Sequence, residues 1–460
     1  MDLSTICFLA LSGYKETNNI ENTGKLTDYK HVTKLKIIFD NLNSNYSFSN
    51  INENEISFKQ CFIRLIRGYL EKVNLSVEKM NSYPNYAQRS PEWYAARNEK
   101  LSASSISAVL KPNSSSYNEL KFEKIGVQLK PFGFSEAIMH GVMFEQVSQV
   151  LYETRNNVTI IEFGCIPHSE YNYIGASPDG VVYLEGVLDP NINKNYTWQQ
   201  IALHGRLVEI KNPKSRVINN SIPHKYEIQI NVQQEVCNLP CCDYLETNYD
   251  FYDDIYKFLE DTYDINQDNV TVSDYVDITE NDDNTDFFEN NTKIENKNIP
   301  WVNLSSDGKE KGILIKFSNS NTRSENEEYK YEGVLMNIKN PYDLETYEQF
   351  KREKQIEFGE KNMEIEQEYF WKIKIYDVKT VWFDKLTWEE IKRYSKLIWN
   401  EIMNERKMTD LQLINKYPNK LEIIDSSQQD MNDDNIDTTL YRKRNIKKKE
   451  KVRVTYDFTD

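Results

Sequence analysis

The sequence predicts an α/β fold with a helical N-terminal addition and inserted segments. Two stretches with apolar residues at helical spacing, 135–154 and 222–238, alternate with the strand-like stretches 207–211 and 242–249. A chain in which strands and helices alternate folds as a sheet that is covered by helices. With 460 residues, the chain is long enough for one large domain or for two to three ordinary ones.

Patterning and composition divide the chain into expected regions. They are a helical N-terminal accessory region at 1–85, a core at 86–261, an acidic disordered insert at 262–299, an inserted subdomain at 300–366, closing strands and a helix of the core at 367–407, and a flexible tail with a basic run at 408–460. Further expected elements are helices near 29–42, 56–73, 343–366 and 386–404, and strands at 158–167, 173–184, 312–317, 332–338, 369–375 and 378–383.

The net charge of −16 is unevenly distributed along the chain. Glu246 to Asn298 contains 16 acidic and 3 basic residues, so the remainder is close to neutral and nucleic acid is not excluded as a partner. Residues 442–453, in contrast, contain eight basic residues and one acidic residue. Such a run is typical of a solvated tail, a nucleic-acid tether or a nuclear localisation signal, and the sequence leaves the three open.

The sequence indicates an intracellular protein without a membrane anchor. Residues 5–11 are apolar, but they are too few to span a bilayer and no basic segment precedes them. The six cysteines form no C-x2-C pair, which disfavours a zinc ribbon, so we expect reduced thiols. The abundance of Asn, Ile, Lys and Tyr is typical of an AT-rich genome, as in large DNA viruses among others.

One strand-like stretch carries a pair of charged side chains. The alternation along 207–211 predicts a strand that places Glu209 and Lys211 on the same face. Asp179, within Ser-Pro-Asp-Gly, lies at the start of another expected strand. Carboxylate oxygens suit Mg²⁺ or Mn²⁺, and Lys211 could orient or deprotonate a water beside such a metal. A Glu-x-Lys pattern alone is most often only a solvated strand face, so the surrounding motifs decide its meaning.

Further motifs accompany this pair in a fixed order. They are W-x3-R at 93–97, S-A-S at 102–104, H-G-x3-E at 140–145, S-P-D-G at 177–180, E-I-K at 209–211 and Y-x2-Q at 226–229. Together they resemble the lambda-exonuclease or YqaJ-type branch of the PD-(D/E)xK nuclease superfamily, over roughly residues 89–250 with a return near 368–405. The resemblance implies a restriction-endonuclease-like core, which is a mixed central sheet flanked by helices.

The resemblance also implies a metal site with Mg²⁺ or Mn²⁺, as two ions. Asp179 would bridge the two ions. Glu209 and the backbone carbonyl of Ile210 would hold one of them, and Glu145, from the helix at 135–154, would hold the other.

The resemblance gives further residues a role in the chemistry and in binding the substrate. Lys211 would position the attacking hydroxide. Gln229, which has the Tyr-x2-Gln spacing, would lie beside the metal-bound phosphate, with Gln233 as the second choice. Arg97 and Ser104 would hold a terminal 5′-phosphate, and we expect Ser102 or Ser104 to cap a helix whose free amides assist them.

The activity implied is that of a metal-dependent DNA exonuclease, 5′→3′ on linear duplex ends, in recombination or viral genome processing. One alternative is a structure-specific or nicking endonuclease on the same fold, because a fold does not fix the substrate. Another is a non-catalytic DNA-binding scaffold. The resemblance further implies DNA ends as the partner, a single-strand annealing protein as a second partner, and a homotrimer. If the chain is viral, we expect it in the host cytoplasm or viral factory, or in the nucleus through the basic tail.

The sequence departs from this family between its two central motifs. The family needs only a short hairpin there, but 29 residues separate Asp179 from Glu209. We expect residues 185–204 to form an insertion at the hairpin tip, which a surface turn tolerates.

Overall fold

The computed structural model describes several segments of the chain. They are 55–86, 90–127, 136–187, 196, 198–261, 303–318, 332–335, 344–360, 363–423, 444 and 446–449. The helix expected near 29–42 and the acidic insert expected at 262–299 lie outside these residues. Within the described segments, no helix combines the length and the apolar character that crossing a membrane requires.

The described segments contain helices and strands in alternation. The α-helices are α1 (Glu55–Asn81), α2 (Pro91–Asn98), α3 (Ser115–Lys124), α4 (Glu136–Asn156), α5 (Trp198–Leu203), α6 (His224–Cys237), α7 (Ile255–Glu260), α8 (Leu344–Gly359), α9 (Lys385–Glu405) and α10 (Asp410–Lys416). The strands are β1 (Leu101–Ser102), β2 (Thr159–Ile161), β3 (Ile166–Pro167), β4 (Ile174–Ala176), β5 (Gly180–Tyr183), β6 (Leu207–Lys211), β7 (Cys241–Tyr252), β8 (Asn303–Leu304), β9 (Glu310–Ser318), β10 (Glu332–Leu335), β11 (Glu364–Trp382), β12 (Leu421–Ile423) and β13 (Ile446–Lys448).

The main sheet has eight strands in the order β10-β9-β11-β7-β6-β5-β2, with β8 paired to β9. Strands β6 and β7 run parallel, whereas the other neighbours are antiparallel. Two small sheets, β1-β4-β3 and β12-β13, stand beside it. The predicted α/β class, a mixed sheet flanked by helices, is therefore confirmed.

Helices α4 and α6 cover opposite faces of the sheet at β6 and β7. The Ser148 hydroxyl of α4 lies 2.8 Å from the Thr247 hydroxyl of β7. Gln233 of α6 donates a 2.7 Å hydrogen bond to Glu209 of β6, which is in register with Tyr244. Because successive side chains of a strand alternate between faces, Tyr244 and Thr247 point to opposite sides. The charged positions of β6 therefore face α6.

Helix α1 packs into the same core as the sheet. Its buried apolar residues are Tyr69, Leu70, Val73, Val77 and Met80, and they join a cluster with Leu207 and Tyr244. The hydroxyl of Tyr69 also donates a 3.0 Å hydrogen bond to the carbonyl of His204. The helix predicted near 56–73 is therefore present and continues to Asn81, and its buried face binds it to the sheet rather than leaving it as a separate appendage.

The closing part of the sheet is one long strand rather than two. Strand β11 pairs with β7 along its C-terminal part and with β9 along its N-terminal part, with register shifts between Ile373 and Ile375 and between Ile365 and Gln367. Such β-bulges let a long strand twist without a break. Asp377, which falls between the two predicted strands, instead pairs with Glu246. Strands β8 to β10 thereby extend the main sheet.

The expected insertion in the hairpin folds back on the sheet. It includes α5, which ends next to the fully buried His204. The Nδ1 atom of that ring accepts a 3.0 Å hydrogen bond from the Leu184 backbone amide, and its Nε2 atom lies 3.1 Å from Asn74 Oδ1. The described part of the insertion is thus tied to both β5 and α1.

The chain beyond residue 408 is ordered in part, which differs from the expected flexible tail. A capping box at Thr409 starts α10, and β12 pairs with β13. Apolar side chains of these elements are buried in the cluster that contains α9: Leu413, Leu421 and Ile446. The Arg444 guanidinium donates hydrogen bonds to four backbone carbonyls, those of Ile125, Glu405, Arg406 and Met408. Part of the basic run is therefore docked on the core. The sequence predicts a flexible tail here because the few apolar residues involved lie on short segments that are far apart in the chain.

Candidate active site

Asp179 and Glu209 meet because β5 and β6 are antiparallel neighbours. Gly180 is in register with Val208, which sets Asp179 opposite Glu209. The Ile210 backbone amide donates a 2.7 Å hydrogen bond to Asp179 Oδ2. The aspartate is thereby fixed against the strand that carries the Glu-x-Lys pair, although 29 residues separate the two motifs in the sequence.

Lys211 joins these two carboxylates. Its ammonium group donates hydrogen bonds to the Glu209 carboxylate and, at 3.0 Å, to the Ile210 carbonyl, and it lies 4.0 Å from Asp179 Oδ2. It also lies 5.3 Å from the centre of the Tyr226 ring. Burial alone would lower the pKa of this ammonium, but Glu209 and Asp179 outweigh burial and raise it. Glu209 and Lys211 therefore lie on the same face of β6, as their spacing predicts.

Two amides of α6 hold the Glu209 carboxylate from the other side. Gln229 donates a 2.7 Å hydrogen bond to Oε1, and Gln233 donates one of 2.7 Å to Oε2. Residues four apart lie on the same face of a helix, so both amides point at the same group. The Glu209 side chain has no exposed surface, so its orientation is set by these partners together with Lys211.

Glu145 contributes its charge to this site from α4. Burial raises the pKa of Asp179 well above its usual range, and the nearby carboxylates of Glu209 and Glu145 raise it further, against the lowering effect of Lys211. Such an excess of buried negative charge is what a cation would relieve. Among the described residues, however, no group of three or more His, Cys, Asp or Glu side chains is arranged to hold a metal ion.

The oxygen donors present nevertheless fit a hard divalent cation. Asp179, Glu209 and the Ile210 carbonyl supply two carboxylates and one carbonyl, which are the ligand types of Mg²⁺ and Mn²⁺. One Asp179 oxygen already accepts the Ile210 amide, and both Glu209 oxygens accept hydrogen bonds. This donor set suits a divalent cation at Asp179, where the charge of Glu145 also acts.

Arg97 and Ser104 lie in direct contact, next to the strand that leads to Asp179. The Arg97 Nη2 atom donates a 2.5 Å hydrogen bond to the Ser104 hydroxyl, and the guanidinium lies 4.7 Å over the Trp93 ring. Burial lowers the pKa of Arg97. Strand β1 ends just before Ser104 and runs parallel to β4, which ends three residues before Asp179.

The prediction that Ser102 or Ser104 caps a helix is wrong. The N-cap residue of the 3₁₀ helix Ile106–Leu110 is Ser105, and its side chain makes no capping hydrogen bond. Ser102 belongs to β1, where its extended backbone is paired with β4 and cannot start a helix. A helix of five residues also offers little to an anion. The contact between Arg97 and Ser104 therefore stands without the free helical amides expected beside it.

The structure adds charged residues that the sequence motifs did not reveal. Glu246 is in register with Lys211 on β7 and has no exposed surface. It accepts hydrogen bonds from Arg216 and, at 3.3 Å, from Lys379, and the Tyr244 hydroxyl donates to it at 2.9 Å. The one sequence signal for it is its period-two spacing from Tyr244 on an expected strand, which any surface strand also shows. The polar face of β6 thus continues onto β7.

Four of the six motifs supply groups that meet at this site or act on its charge, and W-x3-R and S-A-S supply Arg97 and Ser104 beside β1, the neighbour of β4. Residues 92–240 match the YqaJ-like viral recombinase domain. The resemblance seen in the sequence is therefore confirmed for this segment. The YqaJ-like segment begins within α2 and ends just after α6, so it includes Arg97, Asp179, Glu209 and the two glutamines that bond to Glu209.

Curated viral proteins are similar to the YqaJ-like segment and its surroundings. The uncharacterized protein R354 of Acanthamoeba polyphaga mimivirus is 35% identical over 188 residues, which are 39% of this chain and 32% of that protein. A protein of African swine fever virus (isolate Tick/South Africa/Pretoriuskop Pr4/1996) is 33% identical over 155 residues, which are 31% of this chain and 44% of that protein. The chain thus spans less than half of the length of either relative.

Two solved structures also resemble the chain. The crystal structure of LHK-Exo in complex with dAMP covers 72% of this chain and 98% of its own, at 15% identity and a TM-score of 0.33. The crystal structure of an alkaline exonuclease (LHK-Exo) from Laribacter hongkongensis covers 35% and 74%, at 24% identity and a TM-score of 0.27. The domain assignment rests on residues 92–240 and not on these superpositions.

Proposed function

We propose that this protein is a metal-dependent deoxyribonuclease that acts as a 5′→3′ exonuclease on linear duplex ends. The observation that carries the proposal is the meeting of Asp179, Glu209, Lys211 and Gln229 at the adjoining ends of β5, β6 and α6. The YqaJ-like segment contains all four residues. In metal-dependent phosphodiester hydrolysis a bound metal ion activates the attacking water, and this site offers two carboxylates for a metal with an ammonium group beside them.

The metal would be held by Asp179, Glu209 and the Ile210 carbonyl, with Glu145 for a second ion. Bound Mg²⁺ or Mn²⁺ would supply charge neutralisation at the phosphate and a water of lowered pKa. The chain's own part is to keep the carboxylates fixed before the substrate arrives. Gln229 and Gln233 do this for Glu209, and the Ile210 amide does it for Asp179.

Lys211 would orient the attacking water or hydroxide rather than deprotonate it. Glu209 and Asp179 raise its pKa and so favour the ammonium form, and an ammonium donates hydrogen bonds but accepts none. Its Nζ atom is already held between Glu209 and the Ile210 carbonyl. With a metal at Asp179, one of its donors would be free to turn to a nucleophile beside the phosphate.

Arg97 and Ser104 would give the enzyme its preference for a 5′ end. A terminal phosphate monoester carries more charge than an internal diester, and a guanidinium is a permanent, planar donor for it. The Trp93 ring under Arg97 and the Ser104 hydroxyl beside it hold the fork in place. This contact lies beside β4, which leads into Asp179, so an end held there would bring the first phosphodiester towards the carboxylates.

The wider role is part of the same proposal. The relatives come from large DNA viruses, which supports recombination or viral genome processing in the host cytoplasm or viral factory. A single-strand annealing protein as partner and a ring of three subunits would serve such a role. The partly docked basic run leaves nuclear import or a DNA tether as alternatives for the remaining basic residues.

The proposal is tested with substitutions that remove the charge of a side chain but keep its approximate size. Asp179→Asn and Lys211→Met should each abolish Mg²⁺-dependent cleavage of linear duplex DNA while thermal unfolding and duplex binding in Ca²⁺ stay near those of the wild type. Lys214→Met, at an exposed position three residues on, is the control and should keep full activity. Wild-type cleavage by Lys211→Met, or undiminished cleavage in EDTA, would refute the mechanism. No cleavage by the wild type, with duplex binding retained, would favour a DNA-binding scaffold.

A further inference from the structure

A buried polar contact ties helix α4 to the end of strand β6 through Asn212. This residue follows Lys211 directly and is only 6% exposed. Its amide donates a 3.2 Å hydrogen bond to the Gly141 carbonyl, and its Oδ1 atom accepts one of 2.5 Å from the Ser148 hydroxyl. Gly141 and Ser148 lie four residues before and three residues after Glu145, so the three share one face of the helix.

Asn212 is also anchored to the sheet and through its own backbone. The Thr247 hydroxyl of β7 donates a 2.5 Å hydrogen bond to the same Oδ1 atom. The Asn212 carbonyl accepts a 3.2 Å hydrogen bond from His140 Nδ1, one residue before Gly141. The side-chain amide, the Oδ1 atom and the backbone carbonyl of Asn212 therefore each have a partner on α4.

This arrangement restricts how α4 can move relative to β6. A helix rises about 1.5 Å and turns about 100° per residue, so a slip of one residue would carry Glu145 away from the carboxylates. One contact of Asn212 lies a turn before Glu145 and the other nearly a turn after it. Together they fix both the axial position and the rotation of the helix at that point.

We propose that Asn212 is a positioning residue that sets the place of Glu145 relative to Asp179, Glu209 and Lys211, and thereby the affinity of the site for a divalent cation. This inference rests on the proposed nuclease function. Partners that orient metal ligands typically contribute about 10- to 100-fold in metal affinity or activity.

The experiment compares substitutions on the two sides of Asn212. Asn212→Ala removes all its side-chain contacts. Ser148→Ala removes one contact of Asn212 with α4 and leaves those with Gly141 and His140. Thr247→Val removes a buried hydrogen bond to the same oxygen from the strand side but keeps the Ser148 hydroxyl that bonds to it. Mn²⁺ binding to the full chain is measured by calorimetry without DNA, and the Mg²⁺ concentration for half-maximal cleavage is measured with linear duplex. Thermal unfolding is followed for each variant.

The inference predicts a loss that depends on the helix-side contact. Asn212→Ala should weaken Mn²⁺ binding and raise the half-maximal Mg²⁺ concentration by about tenfold or more, and Ser148→Ala should do so by less. Thr247→Val should lower the unfolding temperature yet leave both values within about twofold of the wild type. If Asn212→Ala does not fold, the comparison of Ser148→Ala with Thr247→Val decides.

A double substitution separates positioning from general destabilisation. Glu145→Gln removes the group that Asn212 is proposed to place, so adding Asn212→Ala to it should weaken Mn²⁺ binding little further. Fully additive losses would overturn the inference, as would wild-type Mn²⁺ binding by a folded Asn212→Ala. Equal losses in Thr247→Val and Ser148→Ala would overturn it too. A wild type that neither binds Mn²⁺ nor cleaves DNA would instead refute the proposed function itself.

Discussion

Replacing Gln233 by Leu tests whether the amides of α6 orient the Glu209 carboxylate for catalysis. The Gln233 amide donates a 2.7 Å hydrogen bond to Glu209 Oε2, and neither side chain has exposed surface. A hydrogen bond to a charged group contributes about 1.5–3 kcal/mol. Gln229 and Lys211 remain on the other oxygen, so the carboxylate stays buried and partly held.

If that contact orients Glu209 in the transition state, its loss should lower kcat by roughly tenfold to a hundredfold. The KM for DNA should change little, because the fully buried Gln233 side chain has no surface with which to contact DNA. The assay is the release of nucleotides from a 5′-phosphorylated linear duplex in Mg²⁺, at several DNA concentrations.

The matched control is Gln234→Leu. Gln234 is also buried, and its amide donates to the carbonyls of Pro240 and Val381 at 3.1 and 2.8 Å, away from Glu209. This variant should lose stability to a similar degree and keep kcat. A wild-type kcat in Gln233→Leu, or the same loss in Gln234→Leu, would refute the role of the Gln233 amide in orienting Glu209.

Three further outcomes follow from the structure and the sequence. Arg97→Ala should reduce the preference for 5′-phosphorylated over 5′-hydroxyl duplex by roughly tenfold to a hundredfold, as the ratio of initial rates, and an unchanged ratio would contradict end recognition by Arg97. Burial lowers the pKa of His204 to about 4, from 6.5. Its neutral ring therefore contributes stability that is complete above pH 6.5 and is lost as the pH falls towards 4, by about 3 kcal/mol. Thermal unfolding of wild type and His204→Gln between pH 4 and 8 measures this, and parallel curves would contradict it. Deletion of 262–299 should leave cleavage intact or improve it at low salt, because the segment is acidic and poor in apolar residues; an insoluble or inactive deletion variant would show that the segment is structural.

The central part of the site was predictable because, in a strand, the number of residues between two positions determines whether their side chains point to the same face. The period of two fixes that Glu209 and Lys211 share a face, and the structure joins them through a direct hydrogen bond. The closeness of Asp179 to Glu209 depends on the β5–β6 hairpin. A long insertion does not change it, because the pairing of β5 with β6 sets their register. The contact between Arg97 and Ser104 also follows the motif spacing.

Other features could not be predicted because they depend on contacts between distant segments. The motif spacing favours Gln229 over Gln233, but both amides bond to Glu209, because the packing of α6 on β6 brings that whole face of the helix to the carboxylate. Asn212 looked like any polar residue after a strand, and its meaning comes from Gly141 and Ser148 on another element. Nothing in the sequence around Glu246 indicates that its side chain is buried.

The same limit applies to the fold. Helix α10 has a capping box that begins at Thr409, yet its Leu413 is buried in a cluster that also contains Ile446 of β13, from a distant part of the chain. Strand β11 looked like two strands since Asp377 interrupts its apolar pattern, but pairing with Glu246 on β7 carries the strand through that point. The local sequence pattern predicts each helix or strand, but hydrogen bonding to a distant strand determines where that element ends.

The most direct test of the central claim is a comparison of three duplex substrates with the purified full chain in Mg²⁺. The substrates are linear DNA with 5′-phosphate ends, the same DNA with 5′-hydroxyl ends, and the closed circle. We predict fast degradation of the first from its 5′ ends, slower degradation of the second, an intact circle, and no cleavage of any of them in EDTA. Equal cleavage of all three would contradict the exonuclease account and indicate an endonuclease at the same site, and cleavage that persists in EDTA would contradict the metal-dependent chemistry.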